Sequence, residues 1–290
     1  MLTTAAIDRV VRLALDEDAP WGDLTSEALI PAGAVARAEL VAREAGVFSG
    51  GDVFRAAFTT ADSRIQVEIL AEEGGRFDAG ARLARIDGPA RSVLTAERVA
   101  LNLVQRMCGV STLTARFVDA VRDTPARIVD TRKTTPGLRA LERHAVIAGG
   151  GRNHRYSLSD AVLAKDNHLA VLAGRPLADV LRDARERLPH TTHFEVEVDH
   201  VDQIDPVIAA GVDTIMFDNF SIDDLRRGVE LVAGRVVVEA SGGVTLDSVA
   251  EIARTGVDVI SVGALTHSAV AIDLGLDIAL TEGAVTPGAP

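Results

Sequence analysis

A chain of 290 residues with a formal net charge of -12 and 47% hydrophobic residues has room for one large or two ordinary domains around a buried core. Its apolar runs are short and broken by charge, which excludes a helical membrane span. Its acidic balance and 3% aromatic content exclude the broad basic, stacking surface of a nucleic-acid binder. The single cysteine, Cys108, excludes an internal disulfide and a cysteine-built zinc site and reads as a small buried apolar side chain. No basic segment followed by an apolar one opens the chain, so the expected location is the cytoplasm.

Residues 3–16 place Ile7, Val10, Val11, Ala14 and Leu15 on one stripe, which predicts an amphipathic first helix. The next stretch, EDAPWGDLTSEALIP, is turn-rich, and Trp21 and Asp23 are read as parts of a loop folded over the core. From Ala34 to Pro89 the segments VARAELVAR, RIQVEILAE and RLARIDG alternate between glycine pairs at 50–51 and 74–75, the pattern of an antiparallel sheet. Ser92 to Arg122 reads as two helices broken at Gly109, the first capped by Ser92 or Thr95. Arg98 then falls in a first turn, where a cation opposes the helix dipole; it is either a surface arginine or reaches toward an anion in a neighbouring site.

Beyond Ala126 the texture changes to apolar runs that each end in a polar group: ARIVDTRK, DAVLAKDN, HFEVEVD, DTIMFDN, VVVEASGG and DVISVGA. Amphipathic stretches such as PLADVLRDARERL and LDSVAEIARTG lie between them, and this strand and helix alternation predicts parallel βαβ units. Six units suggest an α/β barrel, complete or incomplete, rather than an open sheet, and no early glycine fingerprint favours a doubly wound dinucleotide fold. The tail TEGAVTPGAP is expected to be disordered.

Charge is distributed unevenly over this pattern. Between Asp130 and His168 lie seven cationic residues (Arg132, Lys133, Arg139, Arg143, Arg152, Arg155, Lys165) against four acids, and Lys133 and Lys165 are the only lysines of the chain. Everywhere else arginine supplies positive charge, so a compact ammonium is singled out here. In an α/β barrel the active site lies at the carboxyl ends of the strands. Those ends carry Arg132 and Lys133, Lys165 and Asp166, Glu195, Glu197 and Asp199, Asp218, Glu239 and Ser241, and Gly263.

Ser241-Gly242-Gly243 before the helix TLDSVAEIA, and Gly263-Ala264 before His267 and Ser268, have the character of phosphate sites, where glycine admits a ligand to backbone N–H groups. Glu197 and Asp218 are the pair chosen for Mg²⁺, which prefers oxygen ligands. His190 and His193 read as a solvated loop, whereas His154, in GGGRNHR beside Arg155, is placed to donate to a carboxylate. The residues thus predict a barrel enzyme with a phosphate subsite, a magnesium subsite and a separate Arg/His/Lys pocket for a second anion, an arrangement suited to group transfer.

The motifs TAERVALNL, DTRKTTPGLR, GGGRNHR, LAKDNH, EVEVD, FDNF, EASGGV and SVGALTHS, in this order over residues 7–280, resemble the quinolinate phosphoribosyltransferase family. The resemblance implies an amino-terminal α/β sandwich domain (1–112, joined by a carboxyl-terminal segment at about 270–290), an open α/β barrel (113–269), and a homodimer with shared active sites. It implies that Arg132, Lys133, His154, Arg155 and Lys165 hold the carboxylates of quinolinate, with Arg98 arriving from the other subunit. Glu197 and Asp218 would bind the ribose hydroxyls and Mg²⁺ of phosphoribosyl pyrophosphate, and Ser241, Gly242, Gly243, Gly263 and His267 its phosphates. Lys133, Lys165, Glu197 and Asp218 would be the catalytic set. The implied reaction is phosphoribosyl transfer with decarboxylation, giving nicotinate mononucleotide for NAD biosynthesis. Alternatives are a relative of the same fold linked to molybdenum transport, a Schiff-base barrel aldolase built on a strand-end lysine, and a non-catalytic phosphate-binding barrel.

Overall fold

The structure, a computed structural model, describes residues 2–171 and 174–281. The tail beyond Thr281 that was expected to be disordered lies outside the described residues. The chain divides into two compact units, Met1–Leu113 with Thr135–Gly150 and Ala269–Pro290, and Thr114–Thr134 with Gly151–Ser268. Residues 135–150, read from sequence as part of the barrel, therefore group with the first unit.

In the first unit, β1 (Val35–Ala42) lies at the centre of a four-stranded antiparallel sheet. A short pair, β2 (Gly46–Val47) and β4 (Arg76–Phe77), stands apart from it, and β3 (Gln66–Ile69) and β5 (Arg82–Pro89) complete its near side. The strand Leu274–Thr281 pairs along the whole of β1 on the other side, so residues far apart in sequence close one sheet. Period-two alternation buries Ala36, Ala38, Leu40 and Ala42 on one face and leaves Arg37 and Glu39 outward, where they pair with Asp87 (2.8 Å) and Arg82 (3.0 Å).

Helix α1 (Thr4–Asp18) buries Ile7, Val10 and Val11, as the stripe predicts. The turn-rich stretch contains a short helix α2 (Leu24–Leu29), and Asp23 is its cap, accepting from the N–H groups of Thr25 and Ser26. Trp21 does not fold over the core, since it is 92% exposed. The sheet region also contains a helix that alternation concealed, α3 (Gly51–Ala61), with Phe54 and Phe58 fully buried.

The expected pair of helices is a single one, α4, running unbroken from Ala90 to Val121. Arg98 is therefore not in a first turn and the dipole argument against it lapses. Gly109 has a different purpose: a Cβ there would overlap Val270 O and lie 2.9 Å from Val270 C, so glycine admits a backbone, not a break. Helix α5 (Arg139–Ala148) is tied into this unit by buried Glu142. That carboxylate accepts from Arg106 Nη2 (2.9 Å), Thr135 Oγ1 (2.7 Å) and Thr135 N (3.0 Å), while Arg106 Nη1 donates to Ala269 O (2.7 Å).

Among the described residues the second unit holds six parallel strands: β6 (Arg127–Val129), β7 (Val162–Ala164), β8 (Phe194–Val198), β9 (Thr214–Asp218), β10 (Val237–Ser241) and β11 (Val259–Ser261). Between them run α6 (Asp166–Val171), α7 (Leu177–Arg187), α8 (Ile204–Ala209), α9 (Ile222–Val232) and α10 (Val249–Ala253), and α11 (Ala264–His267) follows. The sheet order is β7-β8-β9-β10-β11-β6, so the last strand pairs with the first and the sheet curls on itself as in a barrel. On its other side, among the described residues, β6 makes only the single bridge Val129–Arg152, and the ring is open between Arg152 and β7. All of β8 is buried although two of its five residues are glutamates, because alternation points Glu195 and Glu197 the opposite way from Phe194, Val196 and Val198. Among the described residues no helix is long and apolar enough to cross a membrane.

Candidate active site

A cavity of about 700 Å³ opens at the carboxyl ends of these strands. Arg132, Lys133, His154, Arg155, Lys165, Asp218, Ser241, Gly242, Gly243, Gly263 and His267 all line it. Two predicted residues do not: Glu197 is buried out of contact with the cavity, and Arg98 is exposed on α4 of the first unit.

The backbone fixes the cationic residues in a definite way. Asp130, fully buried just past β6, accepts from His154 N at 2.8 Å and so draws the GGGRNHR turn to the strand end. Lys133 is held on both sides of its peptide, its N–H donating to Thr131 Oγ1 (3.1 Å) and its carbonyl accepting from Thr266 Oγ1 (2.9 Å). Its chain runs past Gly263, where a Cβ would meet Lys133 Cδ and His267 Nε2, both at 3.1 Å. Glycine at 263 thus lets a lysine and a histidine converge. Lys165 Nζ donates to Glu197 Oε2, so the lysine covers the carboxylate that was expected to reach a metal. A lysine paired in this way does not lie free in an apolar pocket, as an imine-forming lysine requires.

The glycine-rich edge follows from close packing. Asn219, just past β9, has φ 56°, and its N–H donates to Ser241 O (3.0 Å) while Nδ2 donates to Asp218 Oδ2 (2.6 Å). Gly242 has φ 88°, and a Cβ there would lie 2.5 Å from Asn219 Cγ and 2.7 Å from Asn219 N. The helix after these glycines begins only at Val249, and its entry is closed by Thr245 N donating to Ser248 Oγ (3.0 Å) and Ser248 N to Thr245 Oγ1 (3.3 Å). The expected helix terminus does not follow directly on the glycines, and the residues between them and Val249 form a loop. Asn219, Thr245, Glu239 and Ser261 also line the cavity without an assigned role from sequence. Glu239 carried the signal of a strand-end acid, and Asn219 that of a residue that tolerates the left-handed region directly after a strand-end aspartate.

Beneath the cations lie buried carboxylates. Burial raises the pKa of Glu197, with Asp218 and Asp166 adding to it, and Lys165 only partly offsets this. Burial and neighbouring Glu195 push Glu239 up to about 8. Burial and Arg132 lower the pKa of Arg155. For His154 burial acts downward, but Glu195, Glu239 and Asp130 outweigh it and the net direction is upward.

Both ring nitrogens of His154 have partners within the chain. Nδ1 accepts from Arg155 N–H at 2.7 Å, so the proton of the neutral ring sits on Nε2, which lies 3.1 Å from Glu195 Oε2 and 3.6 Å from Glu239 Oε1. The ligand atoms of His154, Glu195 and Glu239 fall within 4.8 Å of one another, close enough for a metal. A metal on Nε2 would need the ring proton on Nδ1, facing the Arg155 N–H, so the hydrogen bonding disfavours that use.

An α/β barrel with a cationic edge and a glycine-rich edge on one strand-end cavity defines a class, enzymes that bring together two anionic substrates, one of them phosphorylated. Residues 23–108 match the quinolinate phosphoribosyl transferase N-terminal domain, and residues 110–277 the C-terminal domain. The chain is 44% identical over 277 residues to a nicotinate-nucleotide pyrophosphorylase [carboxylating] of Mycobacterium leprae, covering 92% of this chain and 95% of the relative. It is 40% identical over 269 residues to a probable enzyme of that name from Bacillus subtilis, covering 93% and 92%. The solved nicotinate-nucleotide pyrophosphorylase of Francisella tularensis superposes with a TM-score of 0.90 at 36% identity, over 96% of this chain and 98% of that one. The chain belongs to the quinolinate phosphoribosyltransferase family and is a phosphoribosyl-transferring enzyme.

Proposed function

We propose that this enzyme transfers the phosphoribosyl group of phosphoribosyl pyrophosphate to the ring nitrogen of quinolinate and releases pyrophosphate and carbon dioxide, forming nicotinate mononucleotide for NAD biosynthesis. The observation that carries the reading is the single cavity lined by Arg132, Lys133, Arg155 and Lys165 together with Gly242, Gly243 and Gly263. The cationic residues bind the two quinolinate carboxylates and aim the ring nitrogen at the anomeric carbon. His154, engaged by Arg155 N–H and Glu195, lines the same cavity beside Arg155. Ser241, Gly242, Gly243, Gly263 and His267 hold the phosphates.

As the bond from the anomeric carbon to pyrophosphate breaks, its electron pair leaves with pyrophosphate, and the quinolinate nitrogen supplies the pair for the new bond. The carboxylate next to the now cationic nitrogen departs as carbon dioxide, leaving its pair on the ring carbon, where a proton replaces it. Lys133 and Lys165 offer positive charge during both steps. Glu197 and Asp218 suit Mg²⁺ in donor chemistry, being anionic oxygen ligands, and Asp218 lines the cavity. Magnesium bound there would draw charge onto the departing pyrophosphate. The enzyme works as a cytoplasmic homodimer, each subunit lending Arg98 to the other's quinolinate pocket. Carboxyl-labelled quinolinate tests the reading: label must leave as carbon dioxide only when phosphoribosyl pyrophosphate and magnesium are both present, and release without the phosphoribosyl donor would overturn it.

A further inference from the structure

Lys165 and Glu197 are claimed by different substrates, yet they hold each other. Lys165 lines the cavity with its side chain 44% exposed, and its Nζ donates to Glu197 Oε2, whose side chain is 6% exposed. Glu197 cannot act on a ribose or a metal while the ammonium covers it. Lys165 cannot give its full charge to a substrate carboxylate while Glu197 shares it. If quinolinate alone draws Lys165 away, a buried carboxylate is left without its cation, near Asp218 and Asp166, and such a group is costly. If the phosphoribosyl donor and its magnesium take Glu197, the charge of Lys165 is released into the cavity.

We propose that the Lys165–Glu197 pair couples the two substrate sites: each substrate binds by opening the same ion pair, so whichever binds first does so at that expense and the second binds more tightly. This rests on the function proposed above and adds to it a positive linkage between the substrates. The coupling is reciprocal by necessity, and couplings of this kind are typically about 5- to 150-fold. Lys165 here is at once a substrate ligand and the lid of Glu197.

The test uses the full chain and benzene-1,2-dicarboxylate, which has two adjacent carboxylates like quinolinate but no ring nitrogen to accept the ribose, so both ligands can be present without turnover. Its affinity is measured by titration calorimetry without and with saturating phosphoribosyl pyrophosphate and magnesium. The wild type is expected to bind it about tenfold more tightly in their presence. Glu197→Gln keeps the shape and removes the charge, so Lys165 is already released. This variant is expected to bind the dicarboxylate alone about as tightly as the wild type does with donor present, and to gain little further when donor is added. Lys165→Gln, a second probe should the first variant fold poorly, should bind it weakly and with the linkage gone. Equal wild-type affinity in both conditions, with each ligand binding, overturns the coupling and leaves the function standing. Weaker binding of the dicarboxylate to folded Glu197→Gln also overturns it. Failure of the wild type to bind either ligand removes the functional reading, and the coupling with it.

Discussion

Replacing Gly242 by alanine should disable the phosphoribosyl side of the site far more than the same change one residue later. Both glycines have positive φ, 88° and 58°, so either alanine carries a left-handed penalty of about 1–2 kcal/mol. Around Gly243 nothing is closer than Asn219 Oδ1 at 3.9 Å, and the penalty ends there. At Gly242 the new Cβ would lie 2.7 Å from Asn219 N, which cannot rotate out of the way as a side chain can. Asn219 must shift, weakening its N–H bond to Ser241 O, of order 1 kcal/mol, and its Nδ2 bond to the charged Asp218, about 1.5–3 kcal/mol. The total is about 3.5–6 kcal/mol. Expressed in the transition state at about 1.4 kcal/mol per tenfold, a loss of a hundredfold or more in kcat/KM for phosphoribosyl pyrophosphate is expected for Gly242→Ala, and roughly 5- to 30-fold for Gly243→Ala. Initial rates of labelled carbon dioxide release against phosphoribosyl pyrophosphate concentration measure both. Losses within threefold of each other would refute the assignment of Asn219 as the group that Gly242 accommodates.

Three further outcomes are expected. Gly109→Ala, which in an ordinary helix interior would stabilise by about 1 kcal/mol, should here destabilise by about 2–3 kcal/mol in urea unfolding, because the Cβ overlaps the Val270 backbone; a more stable variant would show that α4 and Val270 are not so close. Glu239, raised to about 8, keeps its proton in the folded state while the unfolded chain loses it, so its contribution to stability is intact below about pH 4.5 and declines as pH rises toward 8, by at most about 1.4 kcal/mol per unit. Urea unfolding at stepped pH should therefore fall more steeply for the wild type than for Glu239→Gln, and parallel curves would exclude the buried proton. Cys108, fully buried with its thiol pushed up to about 12 by burial, should resist a thiol-disulfide reagent at pH 8 until the protein unfolds; prompt native labelling would contradict its burial.

Much of the barrel was legible because its signals are local. Every predicted strand run became one of the six parallel strands, since a short apolar run ending in a polar group reports burial and a strand end at once. The cationic edge was legible in Lys133, Arg155 and Lys165, and the glycine edge in Gly242 and Gly243, because those residue types are uncommon at such places without a backbone or anionic reason. Helix α3 was missed because its window, GDVFRAAFTTA, lies between alternating segments whose pattern was extended through it. Glu197 was read as open to the cavity because alternation states the face of a strand but not what lies across that face, which is Lys165.

What the sequence by itself determined is the class of most elements, the face each strand buries, and the gathering of basic residues and glycines at the strand ends, since these depend on side-chain chemistry and periods of two or 3.6 residues. Only the tertiary structure decided what each of several equivalent-looking signals was for. Gly109 could stand for a broken helix or for a close approach, and the position of Val270, far away in the chain, makes it the latter. Residues 135–150 could belong to either unit, and Arg106 settles the matter by pairing with buried Glu142. His154 could offer its ring to a substrate, and Arg155 N–H and Glu195 occupy it. For Gly109, for Glu142 and for the Nε2 side of His154 the deciding contact is made by a partner distant in sequence, Val270, Arg106 or Glu195, that no local pattern names, because such pairing arises when the chain folds back on itself.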